Sequence, residues 1–248
     1  MDYTGGYKAS LIRSIYNGRT GLFNLPKKLY TGIAEHLFNG VKEGMGINIA
    51  RDIEMIEAMR VNVFLFSGAK TFNYVLSTQS LIVENNEIVP FSEFKKRAAK
   101  EFELYNETYL KTEYETAIGQ AQSARAWNSF SEDAVLTYMT SKDAHVSNIC
   151  KSMEGVTRAK KDPIWNTNAP MNHYLCRCYL DASYDNKEKR LPENMPTPPE
   201  GFNFNPGIKQ EIFPKTHPYF NVPKQYVKLA KRNFDLPIKP RKVNGKEV

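Results

Sequence analysis

The residues with the strongest chemistry in this chain are crowded into one segment, residues 137–181. The segment holds all three cysteines, two of the four histidines and one of the two tryptophans. Thiolate sulfur and imidazole nitrogen are the donors that structural zinc sites use, and large aromatic rings anchor small cores. Crowding of these types predicts a shared site or a tight local fold. The residues concerned are Cys150, Cys176, Cys178, His145, His173 and Trp165.

The spacing of the cysteines fits a metal clip built from separate parts of the chain. Cys176 and Cys178 are two residues apart, so on a strand both side chains would share one face, with Arg177 on the other. Three thiolates and one further ligand make a tetrahedral zinc site, and such metal binding contributes folding free energy. A structural zinc is therefore one of three states open to these cysteines. The predicted ligands are Cys150, Cys176, Cys178 and His173, with Asp143 and His145 as alternatives to the histidine.

Two other states of the cysteines stay open at this point. Free cysteines are among the most buried residue types and pack as small apolar side chains. A disulfide between Cys150 and either of the other two is the third possibility, although three cysteines form no self-contained disulfide framework. The Cys-x-Cys spacing is also tighter than that of the usual zinc knuckle. A catalytic cysteine needs a partnered histidine in an electropositive cleft, and the clustering favours a structural role instead.

Five other residues of the segment are expected to specify its fold: Asp143, Gly155, Asp162, Trp165 and Arg177. The carboxylate of Asp143 can bond backbone N–H groups in a turn at the start of a helix over residues 145–153. Gly155 is placed to end that helix in the left-handed conformation. Asp162, followed by a proline, is typical of a turn, and Trp165 is the expected core anchor.

The chain that precedes this segment has the periodicity of helices. Apolar residues recur at four-residue spacing from Leu29 to Val41, which predicts an amphipathic helix that opens after Pro26 and ends at Gly44. A second amphipathic stretch follows over residues 49–59. Further helices are expected over residues 66–82, over 91–106 with Ser92 as its cap, and over 109–130. In the helix over 109–130, alanines on the buried stripe permit a neighbouring helix to approach closely.

β structure is expected around the cysteine-rich segment. Residues 135–140 alternate in polarity and are rich in β-forming types, which predicts a strand, and residues 174–181 predict a second. Residues 84–87 predict a turn. The fold class is therefore α+β, with an N-terminal helical bundle region, a small β-containing module with a cysteine cluster, and an extended basic C-terminal tail. The expected parts are residues 1–130, the module 131–181, a proline- and aromatic-rich extended segment 182–223, and the tail 224–248.

The positive charge of the chain is concentrated in its last residues. The net charge is +7, and the segment from residue 224 onward carries eight basic and two acidic residues. A basic tail on a near-neutral body favours contact with nucleic acid or with an acidic protein surface. The alternative is a solvated tail that serves solubility. The basic side chains expected to make the contact are Lys224, Lys228, Lys231, Arg232, Lys239, Arg241 and Lys242.

Composition and motifs exclude several classes of protein. With 41% hydrophobic residues and 12% aromatic residues, the chain can bury a sizeable core. No apolar run approaches the roughly 18 residues of a membrane span, and the N-terminus lacks a secretory signal, so we expect a cytoplasmic origin. There is no Gly-rich phosphate loop, no Gly-x-Ser-x-Gly and no His-Glu-x-x-His motif. We therefore expect no enzymatic activity.

One known family shares the order and spacing of these residues. Its signature has an Asp, a Cys or His, a Gly, an Asp-Pro-x-Trp, a proline turn and Cys-Arg-Cys, and the segment resembles this signature of the Mu F-like minor head proteins, the head-morphogenesis family of tailed phages. The family accepts His or Cys at the place of Cys150, as a ligand position would tolerate. Lys161 and Met171 depart from the pattern, which commonly has an acidic residue and a second proline there. The matching residues are Asp143, Cys150, Gly155, Asp162, Pro163, Trp165, Pro170, Cys176, Arg177 and Cys178.

The resemblance implies a structural protein of the phage head. Family members are present in few copies, associate with the portal vertex, and in some cases contact packaged DNA or influence its ejection. The partners expected for this chain are the portal protein, other head proteins and, through the basic tail, double-stranded DNA without sequence preference. We therefore expect a virion protein, made in the host cytoplasm, with no membrane partner. A nuclease or toxin-type effector of the same family is the main alternative, although only 67 residues follow the motif. A DNA- or partner-binding module unrelated to virions is the third hypothesis.

Overall fold

The computed structural model describes residues 5–46, 52–182, 187–188, 191–234, 239–240, 242–243 and 246–247, with side chains described as far as Lys231. Long helices are combined with small sheets of two or three strands, which confirms the predicted α+β class. The chain divides into two compact units, each made of separate stretches. The predicted four-part division stays a prediction. Unit 1 comprises residues 1–36, 63–111 and 217–248, and unit 2 comprises residues 37–62 and 112–216.

The described helices are mostly long in the first half of the chain and short in the second. None of them is both long and apolar enough to cross a bilayer. A π-helical turn, Leu104–Thr108, joins the fourth helix to the fifth, and a 3-10 turn spans Pro218–Phe220. The α-helices are α1 (Gly5–Tyr16), α2 (Lys27–Met45), α3 (Ile53–Ser80), α4 (Phe91–Glu103), α5 (Tyr109–Ser129), α6 (Asn148–Met153), α7 (Trp165–Asn168), α8 (Pro206–Lys209) and α9 (Lys224–Phe234).

The strands are short, and all but one of their pairings are antiparallel. One sheet has three strands in the order β4-β3-β5, and the pairs β1-β2, β6-β7 and β8-β9 form separate two-stranded sheets, of which β6-β7 is parallel. The strands are β1 (Val83–Glu84), β2 (Glu87–Ile88), β3 (Val135–Met139), β4 (Thr157–Ala159), β5 (Tyr179–Ala182), β6 (Asn221–Val222), β7 (Lys239–Pro240), β8 (Lys242–Val243) and β9 (Lys246–Glu247).

In unit 1, α1 packs against α4 near the β1-β2 hairpin. The ring of Tyr16 lies 5.2 Å from that of Phe91 and 5.1 Å from that of Phe94, measured between centroids. The hairpin turn places Asn85 and Asn86 at φ 53° and 65°, a left-handed conformation that asparagine tolerates. The turn predicted at this place is confirmed.

Two predicted helix boundaries in the first half of the chain are wrong. α3 begins at Ile53 and continues through the predicted break after residue 59, because neither proline nor glycine interrupts the chain there,. α4 begins after Pro90, which makes no side-chain cap bond, so Ser92 lies inside the first turn and is not the cap. The fixed φ of proline suits a helix start without such a bond.

In unit 2, the C-terminal half of α2 packs closely against α5. A Cβ built on Gly40 would lie 3.1 Å from the carbonyl oxygen of Tyr114. One built on Gly44 would overlap the carbonyl oxygen of Ile118 and lie 2.8 Å from Cβ of Ala121. Only glycine permits this approach of two backbones. The close packing predicted along the alanine stripe of α5 is therefore confirmed.

The three-stranded sheet of unit 2 positions the cysteine-rich segment. β3 confirms the predicted strand, and its alternation buries Leu136 and Tyr138. β5 begins five residues later than predicted. The reason is Leu175, whose φ of 58° is a left-handed conformation that interrupts an extended chain,. Cys176 and Cys178 therefore precede the strand, and the prediction that they share one of its faces is wrong.

The aromatic chain after residue 200 is ordered and buried in unit 2, as predicted. Phe202, Phe204 and Phe213 are all buried. Asn62 of α3 holds this chain: its Oδ1 accepts from the backbone N–H groups of Ile212 and Phe213, both at 2.9 Å, and its Nδ2 donates to the carbonyl of Phe213 at 2.9 Å. Buried polar groups without partners cost about 1–3 kcal/mol each. These backbone partners explain an asparagine inside an apolar run.

Candidate metal centre

Cys150 lies in the first turn of α6, in the core of unit 2. The helix is capped by Ser147, whose hydroxyl accepts from the backbone N–H of Cys150 at 3.3 Å. This bond satisfies one of the donors that a helix start leaves unpaired. The Cys150 side chain is fully buried in a cluster that includes Leu136, Tyr138 and Trp165. The cap and the surrounding core hold the sulfur in one place.

The imidazole of His173 points one nitrogen at this sulfur. Its Nε2 lies 3.3 Å from Sγ of Cys150, and its Nδ1 lies 2.8 Å from the carbonyl oxygen of Tyr174. A carbonyl oxygen can only accept, so Nδ1 carries the proton and Nε2 keeps its lone pair. Histidines that bind zinc are oriented by the same kind of backbone contact.

Cys176 completes a group of three ligand atoms. Its Sγ lies 3.7 Å from that of Cys150, and the two sulfurs and the His173 nitrogen all lie within 4.8 Å of one another. In tetrahedral zinc sites, ligand atoms are about 3.8 Å apart for two sulfurs and about 3.6 Å for sulfur and nitrogen, given the usual bond lengths. The observed separations of 3.7 and 3.3 Å come close to these edges. The three residues therefore fit a zinc ion.

Cys178 lies beside this group of three. It is half-buried as a free cysteine, and hydrogen bonds with Cys150 and Cys176 raise the pKa of its thiol. A third sulfur therefore stands next to the first two. Of the predicted ligand set, the structure brings Cys150, His173 and Cys176 within 4.8 Å of one another, from α6 and from the irregular chain before β5. Cys178 lies next to this group but is not part of it.

Hydrogen bonds among the clustered thiols shift their pKa values in opposite directions. Bonds with Cys176 and Cys178 lower the pKa of Cys150 despite its burial, and the hydroxyls of Ser147 and Tyr138 add to this effect. The pKa of Cys176 is raised, chiefly by its hydrogen bond with Cys150. Metal ligation needs the thiolate form. The hydrogen bonds that Cys150 receives thus favour the thiolate form that a metal ligand needs,.

Asp143 and His145, the alternative ligands, lie outside the group of three. The Oδ1 of Asp143 accepts from the backbone N–H of His145 at 2.9 Å, and its carboxylate pairs with Arg177 at 2.8 Å. The backbone bond first, and then Arg177, lower the pKa of Asp143. The carboxylate organises an exposed turn. The predicted helix start at residue 145 is wrong, because α6 begins at Asn148 with Ser147 as its cap.

The remaining motif residues hold the chain around the centre. Gly155 follows α6 with φ of 74°, and its N–H donates to the carbonyl of Tyr138 at 2.8 Å. The Oδ1 of Asp162 accepts from the backbone N–H two residues further on, at 2.9 Å. Trp165 is fully buried, and its Nε1 donates to the carbonyl of Ala159 at 3.0 Å. Each of these contacts fixes a turn or a ring within the module.

Two residues next to the centre were not predicted from the sequence. Ser147 stands three residues before Cys150, which is the spacing of a helix cap, so this contact was readable. Tyr138 donates its hydroxyl proton to Sγ of Cys150 at 3.4 Å. It comes from β3, twelve residues away along the chain, and only the fold brings it to the sulfur.

The basic residues predicted to contact nucleic acid belong to unit 1. Lys224, Lys228 and Lys231 are exposed on α9. Their spacing of four and three residues places them on one side of the helix, which we call the α9 basic face. The side chains of the other predicted residues lie outside the described part of the chain: Arg232, Lys239, Arg241 and Lys242.

The comparisons with known proteins give one match. The family model described as Phage Mu protein F like protein matches residues 31–181, which is more than half of the chain. The matched stretch contains most of α2, all of α3 to α7 and the entire cysteine-rich module. No curated protein and no solved structure matches the chain.

Proposed function

Because the chain belongs to the family of Phage Mu F-like proteins, we propose that it is a minor head protein at the portal vertex of a tailed phage. Family membership indicates a phage head-morphogenesis protein with a place in the virion and with other head components as partners. The position at the portal, and contact with packaged DNA, are our finer proposals. The match over residues 31–181 carries the place in the head, since it spans the helices and the module together. The basic residues that follow the match support the contact with DNA.

We infer a structural role for the cysteine-rich module. The family is a structural head-morphogenesis family. In the module, Cys150 and Cys176 are both buried and their neighbours are core side chains. A catalytic zinc keeps one coordination position open for substrate or water, whereas a structural zinc has four protein ligands. The three grouped ligands, with the sulfur of Cys178 close by, support the structural kind.

We assign a structural zinc to Cys150, Cys176 and His173, with Cys178 as the fourth ligand. Such an ion would join α6 to the chain before β5. α6 has only six residues, and residues 169–178 before β5 are in neither helix nor strand. A bound ion supplies the free energy that a module of this size lacks in its apolar core.

DNA contact is assigned to the α9 basic face. Its three exposed lysines, Lys224, Lys228 and Lys231, stand on an eleven-residue helix with no acidic residue in its first turn. Phosphate contacts of this kind are independent of sequence and weaken as salt increases. The charge of the remaining tail supports the same assignment.

The first test is quantitative mass spectrometry of purified, nuclease-treated particles from the source phage or induced prophage. We expect a few to about a dozen copies per particle, since a portal vertex occurs once per head and cyclic oligomers of that size close around it. Copies should remain with the portal when particles are disrupted. A protein missing from mature particles would contradict the proposal and favour the effector of the same family.

The second test separates the α9 basic face from total charge. Replacing Lys224, Lys228 and Lys231 with Gln should weaken binding to double-stranded DNA and reduce the slope of log affinity against log salt by about 2–3, since each lost phosphate contact removes about 0.9. The matched control is the same exchange at three exposed lysines of α4, also in unit 1. Equal losses in the two variants would show that net charge alone acts. The control lysines are Lys95, Lys96 and Lys100.

A further inference from the structure

We propose that Tyr138 and Asn172 form a buried hydrogen-bond relay that positions the Cys150 sulfur as a metal ligand and stabilises its charge. The inference rests on the zinc site proposed above. Both are positioning residues, because each would act on the ion through the sulfur. Tyr138 stands on β3 and Asn172 directly precedes His173. The relay thus connects the sheet with the segment that carries the other ligands.

The relay is a chain of two hydrogen bonds inside the core of unit 2. Both side chains are fully buried. The Nδ2 of Asn172 lies 3.1 Å from the hydroxyl oxygen of Tyr138, and that oxygen lies 3.4 Å from Sγ of Cys150. Sulfur is larger than oxygen, so 3.4 Å is a normal length for a hydroxyl that donates to it.

The direction of the relay follows from the groups that compose it. The amide nitrogen of Asn172 can only donate, so it occupies a lone pair of the Tyr138 oxygen. The hydroxyl proton of Tyr138 then points to the sulfur of Cys150. A thiolate accepts such a proton more strongly than a thiol does, because charged acceptors make shorter and stronger hydrogen bonds.

The buried amide of Asn172 uses only one of its two polar atoms in a hydrogen bond that the structure describes. Among the described residues, its Oδ1 has no hydrogen-bond partner. An unpaired buried acceptor costs about 1–3 kcal/mol, and an apolar side chain of similar size would avoid this. The contribution of Asn172 to the site therefore comes from its nitrogen, through the bond to Tyr138.

The consequence for metal binding is a better ligand at Cys150. Three thiolates and one imidazole around a divalent ion leave a net negative charge in the core. A hydroxyl that donates to one sulfur spreads this charge where the dielectric constant is low. Removal of outer hydrogen-bond partners of metal ligands typically lowers metal affinity 10–100-fold.

The experiment uses the full-length chain and the variant Tyr138→Phe, which removes the hydroxyl and keeps the ring. Zinc affinity is measured by competition with a chromophoric chelator. We expect affinity about 10–100-fold weaker than in the wild-type protein. The matched control is Tyr179→Phe, because Tyr179 is exposed on β5, opposite Met139 of β3. The control should bind zinc as the wild-type protein does.

A second readout separates the relay from a loss of packing. In the cobalt-substituted protein, the sulfur-to-cobalt charge-transfer band reports the electron density on the ligating sulfurs. Loss of the hydroxyl donor from Cys150 should move this band to longer wavelength, whereas a packing defect would lower only the amount of bound cobalt. The variant Asn172→Asp places an acceptor beside the Tyr138 hydroxyl and draws its proton away from the sulfur. Asn172→Asp should shift the charge-transfer band in the same direction as Tyr138→Phe does, and should also weaken zinc binding.

The outcomes distinguish the relay from the site on which it rests. If Tyr138→Phe and the wild-type protein share one zinc affinity and one band position, the relay is overturned and the zinc site stands. If the wild-type protein binds no zinc, the zinc site and the relay fall together. Circular dichroism of each variant confirms that the affinities compare folded proteins.

Discussion

Each unit places a histidine among buried side chains, and the two histidines have opposite surroundings. In unit 2, His173 turns Nε2 toward the sulfur of Cys150 while Nδ1 donates to a backbone carbonyl. In unit 1, Nδ1 of His217 accepts from the backbone N–H of Tyr219 at 3.2 Å. Its ring lies 4.9 Å from that of Phe66 and 4.7 Å from that of Tyr219, between centroids.

The partner of Nδ1 explains the difference between the two residues. The carbonyl of Tyr174 accepts a hydrogen bond from Nδ1–H of His173, so Nε2 keeps a lone pair that can bind an ion. The backbone N–H of Tyr219 donates to Nδ1 of His217, so in the neutral ring the proton is on Nε2,. Neither nitrogen of His217 then has a lone pair available for a metal. Burial first, and the charge of Lys70 second, lower the pKa of His217 to about 4. The same residue type is our proposed ligand in one unit and a neutral core side chain in the other.

The largest expected effect is on the unit that we propose to be held by metal. Cys150→Ala should abolish zinc binding and lower the free energy of unfolding by more than about 4 kcal/mol, since loss of a structural metal belongs to the most damaging changes. The measurements are elemental analysis and denaturant unfolding. Wild-type protein purified under reducing conditions should contain about one zinc per chain.

A chelator provides the control for this variant. It should lower the stability of the wild-type protein toward that of Cys150→Ala and leave the variant unchanged, because only the former has an ion to lose. The zinc site would be contradicted if the chelator left the stability of the wild-type protein unchanged and three free thiols were counted. Cys150 would then be a buried thiol of the core and not a ligand. The region around His173 would then resemble the region around His217.

The second-largest effect is a fall in the stability of the protein at acid pH, caused by His217. Its folded pKa of about 4 lies below the ordinary value of about 6.5,. Protonation therefore favours the unfolded chain: stability is complete above about pH 6.5 and falls toward pH 4, by up to about 3 kcal/mol. His217→Asn keeps a side-chain acceptor for the Tyr219 N–H and should flatten this acid limb in denaturant unfolding at a series of pH values.

The control for the pH experiment uses the other unit. His217→Asn should leave zinc content unchanged, because His217 offers no lone pair to an ion. His173→Asn should lose zinc and should still show the loss of stability at acid pH that His217 causes. Identical acid limbs in the wild-type protein and His217→Asn would show that this histidine does not titrate below its ordinary range.

The smallest effect compares the two units at matched glycines. Gly155 in unit 2 and Gly18 in unit 1 have φ of 74° and 70°, and a Cβ built on either would meet nothing within 4 Å. Alanine at each position should cost about 1 kcal/mol through backbone strain alone, measured by denaturant unfolding. A clearly larger cost at Gly155 would indicate that the ion depends on the exact end of α6.

Local signals predicted much of the fold. The first amphipathic helix, the hairpin turn after α3 and strand β3 were all predicted close to their observed positions, because each depends on residues within a few positions. The predicted start of the second strand was wrong, because Leu175 adopts a left-handed conformation. A leucine in the sequence does not indicate such a conformation. The cap of α4 was wrong for a related reason: Pro90 begins the helix without a side-chain bond.

The sequence by itself determined which residue types are available for a site, and it brought Cys150, Cys176 and His173 into one segment of the chain. Tertiary structure decided which of their atoms meet. The sulfurs of Cys150 and Cys176 come from positions 26 residues apart, and the Tyr138 hydroxyl arrives from another strand. Hydrogen bonds and ligand geometry act over a few ångströms in space, whereas sequence patterns report neighbours along the chain. For that reason the sequence named His173 as a candidate ligand, but only the fold showed which nitrogen of His173 and of His217 keeps a lone pair.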